Sequence, residues 1–167
     1  ICADLVAKAP ADGYTILLTV SSMVTSPFLE KVPFDVTRDF AGVTQLIRGS
    51  YVLVAGPRLK VSSLGEFLEA ARRAPGRLNY GSFGNGTTAH FAGEMLKSAA
   101  GVFMVHIPYR GQGPALTDLI GGNIDMMFGN LPDFLPHIRS GKLKALGTTY
   151  LTRAPLAPDI PTVEIGR

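Results

Sequence analysis

The stretch Asn79-Tyr80-Gly81-Ser82-Phe83-Gly84-Asn85-Gly86-Thr87-Thr88-Ala89-His90 holds the residue types best suited to chemistry. It follows an apolar run that reads as a strand and opens a helical pattern. Glycines let the backbone come close to a ligand. The N–H groups and dipole at a helix start favour an anion. Ser82, Gly84, Asn85, Gly86, Thr87 and Thr88 are therefore the candidate anion cradle. Two nucleotide readings fit less well. Gly81 and Gly86 have the spacing of a P-loop and Thr88 fits its last place, but Thr87 stands where the lysine should be. Gly84, Gly86 and Ala89 match a dinucleotide fingerprint, yet the following strand ends in His106-Ile107-Pro108-Tyr109 with no acid for the ribose. A nucleotide-using α/β enzyme stays open as an alternative, and so does a tight strand-to-helix turn with no ligand.

Two further loops end strands and enter helices, so they are expected on the same rim. Pro108-Tyr109-Arg110-Gly111-Gln112-Gly113 offers the Tyr109 ring and hydroxyl and the Arg110 charge. Gly129-Asn130-Leu131-Pro132 offers the Asn130 amide, both donor and acceptor. Of the three histidines, His106 lies in an apolar strand and reads as a satisfied core group, and His137 sits near a helix end. Asp118 and Asp125 flank the Gly121-Gly122 turn and read as surface groups. Neither a His-x-x-x-His metal pattern nor a Gly-x-Ser-x-Gly elbow occurs, so no catalytic residue, metal or cofactor is assigned.

Alternating short apolar runs and helical patterns position these loops. Strands are expected at Tyr51 to Ala55, Leu78 to Phe83, Val102 to Ile107, Ile124 to Phe128 and Leu143 to Thr149. The helix after the first strand begins at a capping box, with Ser63 at the N-cap and Glu66 at N3. The next carries Phe91, Met95 and Leu96 inward and ends at Gly101; the others run from Pro114 to Ile120 and Leu131 to Arg139. Such alternation predicts a parallel sheet with helices on its faces, and a parallel sheet binds ligands at its strands' carboxyl ends. In the first fifty residues, Tyr14 to Val20 reads as a strand, Ser21 to Pro27 as a polar loop leading to a short helix at Phe28-Leu29, and Phe40 to Ile47 as another strand-like run.

The 167 residues are 46% hydrophobic and 17% charged, which suits a packed core. The net charge of +3 is spread out, with Arg72-Arg73 the one basic doublet and no aromatic interleaving, so nucleic acid is not expected as a partner. No apolar run approaches the roughly 20 residues of a membrane span, so direct membrane insertion is not expected either. The start at Ile1 lacks the pattern of a signal peptide, which processing would remove. The single cysteine, Cys2, precludes an internal disulfide.

Five stretches together resemble the Bug or TctC family of extracytoplasmic solute receptors. They are Val6-Ala7-Lys8-Ala9-Pro10-Ala11-Asp12-Gly13-Tyr14-Thr15; Pro33-Phe34-Asp35 with Arg38-Asp39-Phe40; Tyr80 to Gly86; His106-Ile107-Pro108-Tyr109-Arg110-Gly111; and Pro161-Thr162-Val163. The resemblance implies an α/β periplasmic-binding-protein-like fold of type II, with two lobes that close on the ligand. Each lobe would be a mainly parallel sheet flanked by helices. Residues 1–50 would be part of the first lobe, 51–149 the second, and 150–167 a return segment to the first. The family's leader, its first strand with a Pro-Phe-x-Ala-Gly-Gly loop, and its C-terminal helices have no counterpart here, so an incomplete first lobe is expected.

The same resemblance implies a small di-, tri- or aromatic carboxylate ligand, held by backbone N–H groups and hydroxyls rather than a salt bridge. Ser21, Ser22 and Thr25 would supply the first lobe's contacts. It further implies a periplasmic location and delivery to the membrane subunits of a tripartite tricarboxylate transporter. A ligand-sensing adaptor in signalling is the alternative role. Cys2 stands where the family usually has glycine, and Gly129 where it often has aspartate beside Asn130. That glycine points to a ligand without an α-amino group.

Overall fold

The computed structural model describes residues 2–163. By backbone contacts the chain forms two units. Among the described residues, one comprises 2–47 with Gly86–Thr88; the other comprises 48–85 and 89–163.

In the second unit, β1 (Tyr51–Ala55), β2 (Asn79–Ser82), β3 (Val105–Pro108), β4 (Met126–Asn130) and β5 (Lys144–Thr148) form one sheet in the order β3-β2-β4-β1-β5. Between them run α3 (Leu64–Arg73), α4 (Thr88–Ala100), α5 (Gln112–Ile120) and α6 (Leu131–Arg139). The five expected strands and four helices are present with boundaries moved by a few residues. The sheet expected to be mainly parallel is mixed: β2 pairs parallel with β3 and β4, but β1 pairs antiparallel with both β4 and β5. Alternation fixes the order of elements along the chain. It does not fix the direction of a strand whose successor lies elsewhere in the sheet, and β4 separates β1 from β2.

Residue alternation along β1 divides the core in two. Leu53 and Ala55 join Phe67 and Ala71 of α3, Leu96 of α4, Tyr80 and Phe128 on one face. Val52 and Val54 join Ala115 and Leu119 of α5, Leu131 and Phe134 of α6, and Met127 on the other. Full burial of each large side chain contributes about 1.5–3 kcal/mol. Met95, expected on the inner face of α4, is 70% exposed, and Gly93 is buried there instead. A Cβ on Gly93 would lie 2.2 Å from the Tyr80 ring, so the aromatic occupies the room a larger residue would need.

Asp125, read as a surface group, is fully buried. Its Oδ2 accepts from the Asn79 backbone N–H at 2.9 Å, and its own N–H donates to Asn79 Oδ1 at 2.9 Å. The Arg58 guanidinium lies 3.8 Å from Oδ1. This reciprocal pair clasps the start of β2 to the start of β4. Residues 150–163, expected to return to the first lobe, pack on this unit. Thr148 bonds Pro161 and Val163 along the outer edge of β5, and that path carries Ala154, Ala157 and Ile160 into the core. Residues 164–167 of the expected return segment lie outside the described residues.

The first unit holds α1 (Cys2–Ala7), α2 (Ser22–Thr25) and a 3-10 turn (Ser26–Phe28). The helix expected at Phe28-Leu29 therefore begins earlier, at Ser22. Tyr14 to Val20 and Phe40 to Ile47 are irregular rather than strands. A strand exists only by pairing, and neither run forms a ladder with another strand among the described residues. Tyr14, Ile16, Leu18 and Val20 are all more than 70% exposed.

Candidate functional site

Because β3, β2 and β4 are adjacent and parallel, their carboxyl ends share one edge of the sheet, as the sequence predicts. Two backbone bonds draw the exit loops together: Tyr109 N–H donates to the Ser82 carbonyl at 2.9 Å, and Gly111 N–H to the Phe83 carbonyl at 3.2 Å. Phe83 stacks on Tyr51, with ring centroids 6.1 Å apart. Gly84 and Gly86 have φ of +133° and +75°, a region L side chains rarely adopt, so both glycines are required by the turn. Asn85 between them is exposed.

Ser82 is fully buried. Its Oγ lies 2.7 Å from His106 Nε2, accepts from the Gly84 N–H at 3.2 Å and lies 3.1 Å from the Gly84 carbonyl. Tyr109 is half-buried, and its hydroxyl donates to Asp118 Oδ2 at 2.7 Å. Burial and that bond push the Tyr109 hydroxyl up to about 12. Bonds from Tyr109 and Asn123 hold the Asp118 carboxyl below its ordinary range. Arg110 is exposed. At the β4 exit, the Asn130 N–H donates to Gln112 Oε1 at 3.2 Å, and Gln112 Nε2 donates to Asp133 Oδ2 at 2.6 Å. Asn130 Nδ2 also reaches Asp133 Oδ2 at 3.4 Å. Sequence reasoning missed Gln112, Asp118 and Asp133, because each acts through a partner on another element. A Cβ at Gly129 would lie 2.0 Å from Phe134 Cε2, so the ring fills the space an aspartate would take.

In the first unit, Ser21 Oγ lies 2.8 Å from Thr88 Oγ1, and the single Thr25 hydroxyl hydrogen has two acceptors within reach, the Gly86 carbonyl at 2.7 Å and the Ser22 carbonyl at 3.1 Å. A Cβ on Gly86 would meet Leu29 Cδ1 at 2.6 Å. Ser21, Thr25, Gly86 and Thr88 thus converge, with Ser22 contributing through its carbonyl. Thr87 is half-buried in the same unit. Two paired hydroxyls share one hydrogen, so the Ser21–Thr88 pair keeps a second O–H to donate.

A depression of about 680 Å³ lies at the opposite strand ends, lined by Ser62, Ser63, Lys144, Ile160 and Thr162 among others. None of the residues expected to bind ligand lines it. Among the described residues, no group of three or more His, Cys, Asp or Glu could hold a metal, and no helix is long and apolar enough to cross a membrane.

This fold is that of periplasmic binding proteins. BugD superposes with a TM-score of 0.87 at 32% identity, over 96% of this chain and 54% of that one. An R. palustris protein, Rpa4515 with adipate, gives 0.90 at 32% identity over 96% and 55%. MatC from Rhodopseudomonas palustris with bound malate gives 0.81 at 27% over 96% and 55%. The chain belongs to the TctC family, the tripartite tricarboxylate transporter family receptors, whose sequence model matches residues 1–167. A UPF0065 protein of Pseudomonas sp. strain P51 is 39% identical over 96% of this chain and 48% of its own length. Protein BugT of Bordetella pertussis is 36% identical over 98% and 51%. The chain spans about half the length of the curated relatives it matches.

Proposed function

We propose that this chain is the ligand-binding part of a periplasmic receptor that captures a small carboxylate for a tripartite transporter, and that it binds rather than transforms its ligand. The observation that carries the reading is the Gly84–Thr88 turn. Two glycines of positive φ lead the chain into the thirteen-residue α4, at the edge where β2, β3 and β4 all end. Backbone N–H groups and hydroxyls there suit a carboxylate. Ser21, Ser22, Thr25, Gly86, Thr87 and Thr88 are the proposed contacts in the first unit. Gly84, Asn85, Tyr109 and Asn130 are those in the second, with Ser82 supporting the turn from beneath. Similarity to a protein holding adipate and another holding malate supports a dicarboxylate. Asp133 does put a carboxylate near Asn130, but its Oδ2 already accepts from two amides, which supports a ligand lacking an ammonium group.

A thermal-shift and calorimetry panel on the full-length protein tests this. Adipate or malate at 100 times Kd should stabilise it by about 2.7 kcal/mol, while an amino acid gives no shift. A flat response across the carboxylates would overturn the proposal.

A further inference from the structure

His106 connects to the candidate loop without belonging to it. Its ring is held from both sides: the Tyr80 ring lies 4.8 Å away at 25°, and the His90 ring 4.1 Å away at 13°. This sandwich fixes the imidazole plane and brings Nε2 within 2.7 Å of Ser82 Oγ. Ser82 is fully buried, and the Gly84 N–H donates to that same oxygen.

We propose that His106 is a positioning residue for the ligand loop, acting through the Ser82 hydroxyl on the Gly84 turn. The inference rests on the loop being the carboxylate site. The hydroxyl has one hydrogen and two acceptors within reach, His106 Nε2 at 2.7 Å and the Gly84 carbonyl at 3.1 Å. If Nε2 accepts, the Ser82 oxygen keeps its lone pairs for the Gly84 N–H. If Nε2 carries the proton, the oxygen accepts from both His106 and Gly84 and donates to the Gly84 carbonyl. In either tautomer the imidazole nitrogen fixes the rotor, and the rotor ties Gly84 down at φ +133°. Without the nitrogen the hydroxyl keeps only the Gly84 carbonyl as acceptor, and its hold on the Gly84 N–H loosens. Burial, then the neighbouring His90 charge, hold the His106 ring down to about 4, so it stays neutral at ordinary pH. Glu94 and Lys97 on α4 act on it in opposite directions, Glu94 raising and Lys97 lowering its affinity for a proton. Tyr80 faces it from β2 and donates its hydroxyl to Glu94.

The test compares H106F, which keeps an aromatic ring in the sandwich but has no nitrogen, with H106Q, which restores an amide near the Nε2 position, and with S82A. Two readouts are taken on the full chain: the Gly84 amide by NMR, through its shift and hydrogen exchange, and Kd for adipate and malate by calorimetry. Expected are at least tenfold faster Gly84 exchange and at least tenfold weaker binding in H106F, both recovered to within threefold in H106Q. S82A should match H106F, and the double variant should be no worse than either single one. Wild-type Gly84 exchange in H106F, failure of H106Q to recover it, or additive losses in the double variant would overturn the proposal. If the wild type binds neither dicarboxylate, the carboxylate reading fails, and the Gly84 amide still decides whether His106 holds the turn.

Discussion

Replacing Gly129 with alanine adds one methyl to the middle of a closed space. The new Cβ would lie 2.0, 2.3 and 2.8 Å from Cε2, Cζ and Cδ2 of Phe134. Carbon atoms in contact settle at about 3.5–4.0 Å, so ring or strand has to give by about 1.5 Å. The ring has nowhere to go. Phe134 is fully buried among Val52, Val54, Leu131 and Leu143, and Gly129 sits opposite Val52 in the β1–β4 ladder. Overpacking of this kind costs about 1–3 kcal/mol, and the depth of the overlap puts G129A toward the upper end. For a chain of this size that lowers Tm by about 5–10 °C. Urea unfolding followed by circular dichroism measures the loss directly. F134L opens space on the other side of the contact, so the double variant should be more stable than the sum of the two singles predicts, by about 1 kcal/mol or more. A G129A protein within about 0.5 kcal/mol of wild type, or strict additivity with F134L, would refute the reasoning.

Three other outcomes are expected. D125A leaves the half-buried Asn79 N–H without its acceptor and should destabilise by about 1–3 kcal/mol in urea titration, whereas D125N keeps an acceptor oxygen and should lose less. Ser63 caps α3 by accepting from the Glu66 N–H at 3.2 Å, so S63A should cost about 1 kcal/mol by the same assay. Finally, the folded state keeps His106 neutral down to about 4 while the unfolded chain takes up a proton below about 6.5. The unfolded state then binds more protons, so stability falls as pH drops through that window, by about 1–2 kcal/mol once solvent screening is allowed for. Carboxylates also titrate there, so the checking measurement is the difference in slope between wild type and H106F, which should lack this contribution.

The second unit was largely legible because its information is local. Ser63 and Glu66 announce a helix start three residues apart, although Glu66 reaches back to Ser62 rather than to the cap itself. Glycines at 84 and 86 announce a turn, and the order of strands and helices follows. What was not legible depends on distant partners. Asp125 looks like a loop carboxylate until Asn79 is placed beside it, 46 residues away in sequence. The direction of β1 is decided by β4 and β5, and the apolar run at Tyr14 to Val20 has strand composition without a partner to make it a strand. At the site, the glycines and hydroxyls could be singled out by residue type and spacing, but the burial of Ser82 and its bond to His106 are tertiary facts. Gln112, Asp118 and Asp133 carry no pattern of their own, and only the folded rim shows that they hold Tyr109 and Asn130 in place.

The antiparallel seat of β1 bears on how this unit comes to be built. Its two neighbours are the last two strands of this sheet in chain order, so Val52 to Ala55 meets its partners only after most of the unit's chain has been made. A sheet closed by its first-made member forms late and all at once, and until then Val52 to Ala55 is a sticky segment that must be kept from strangers.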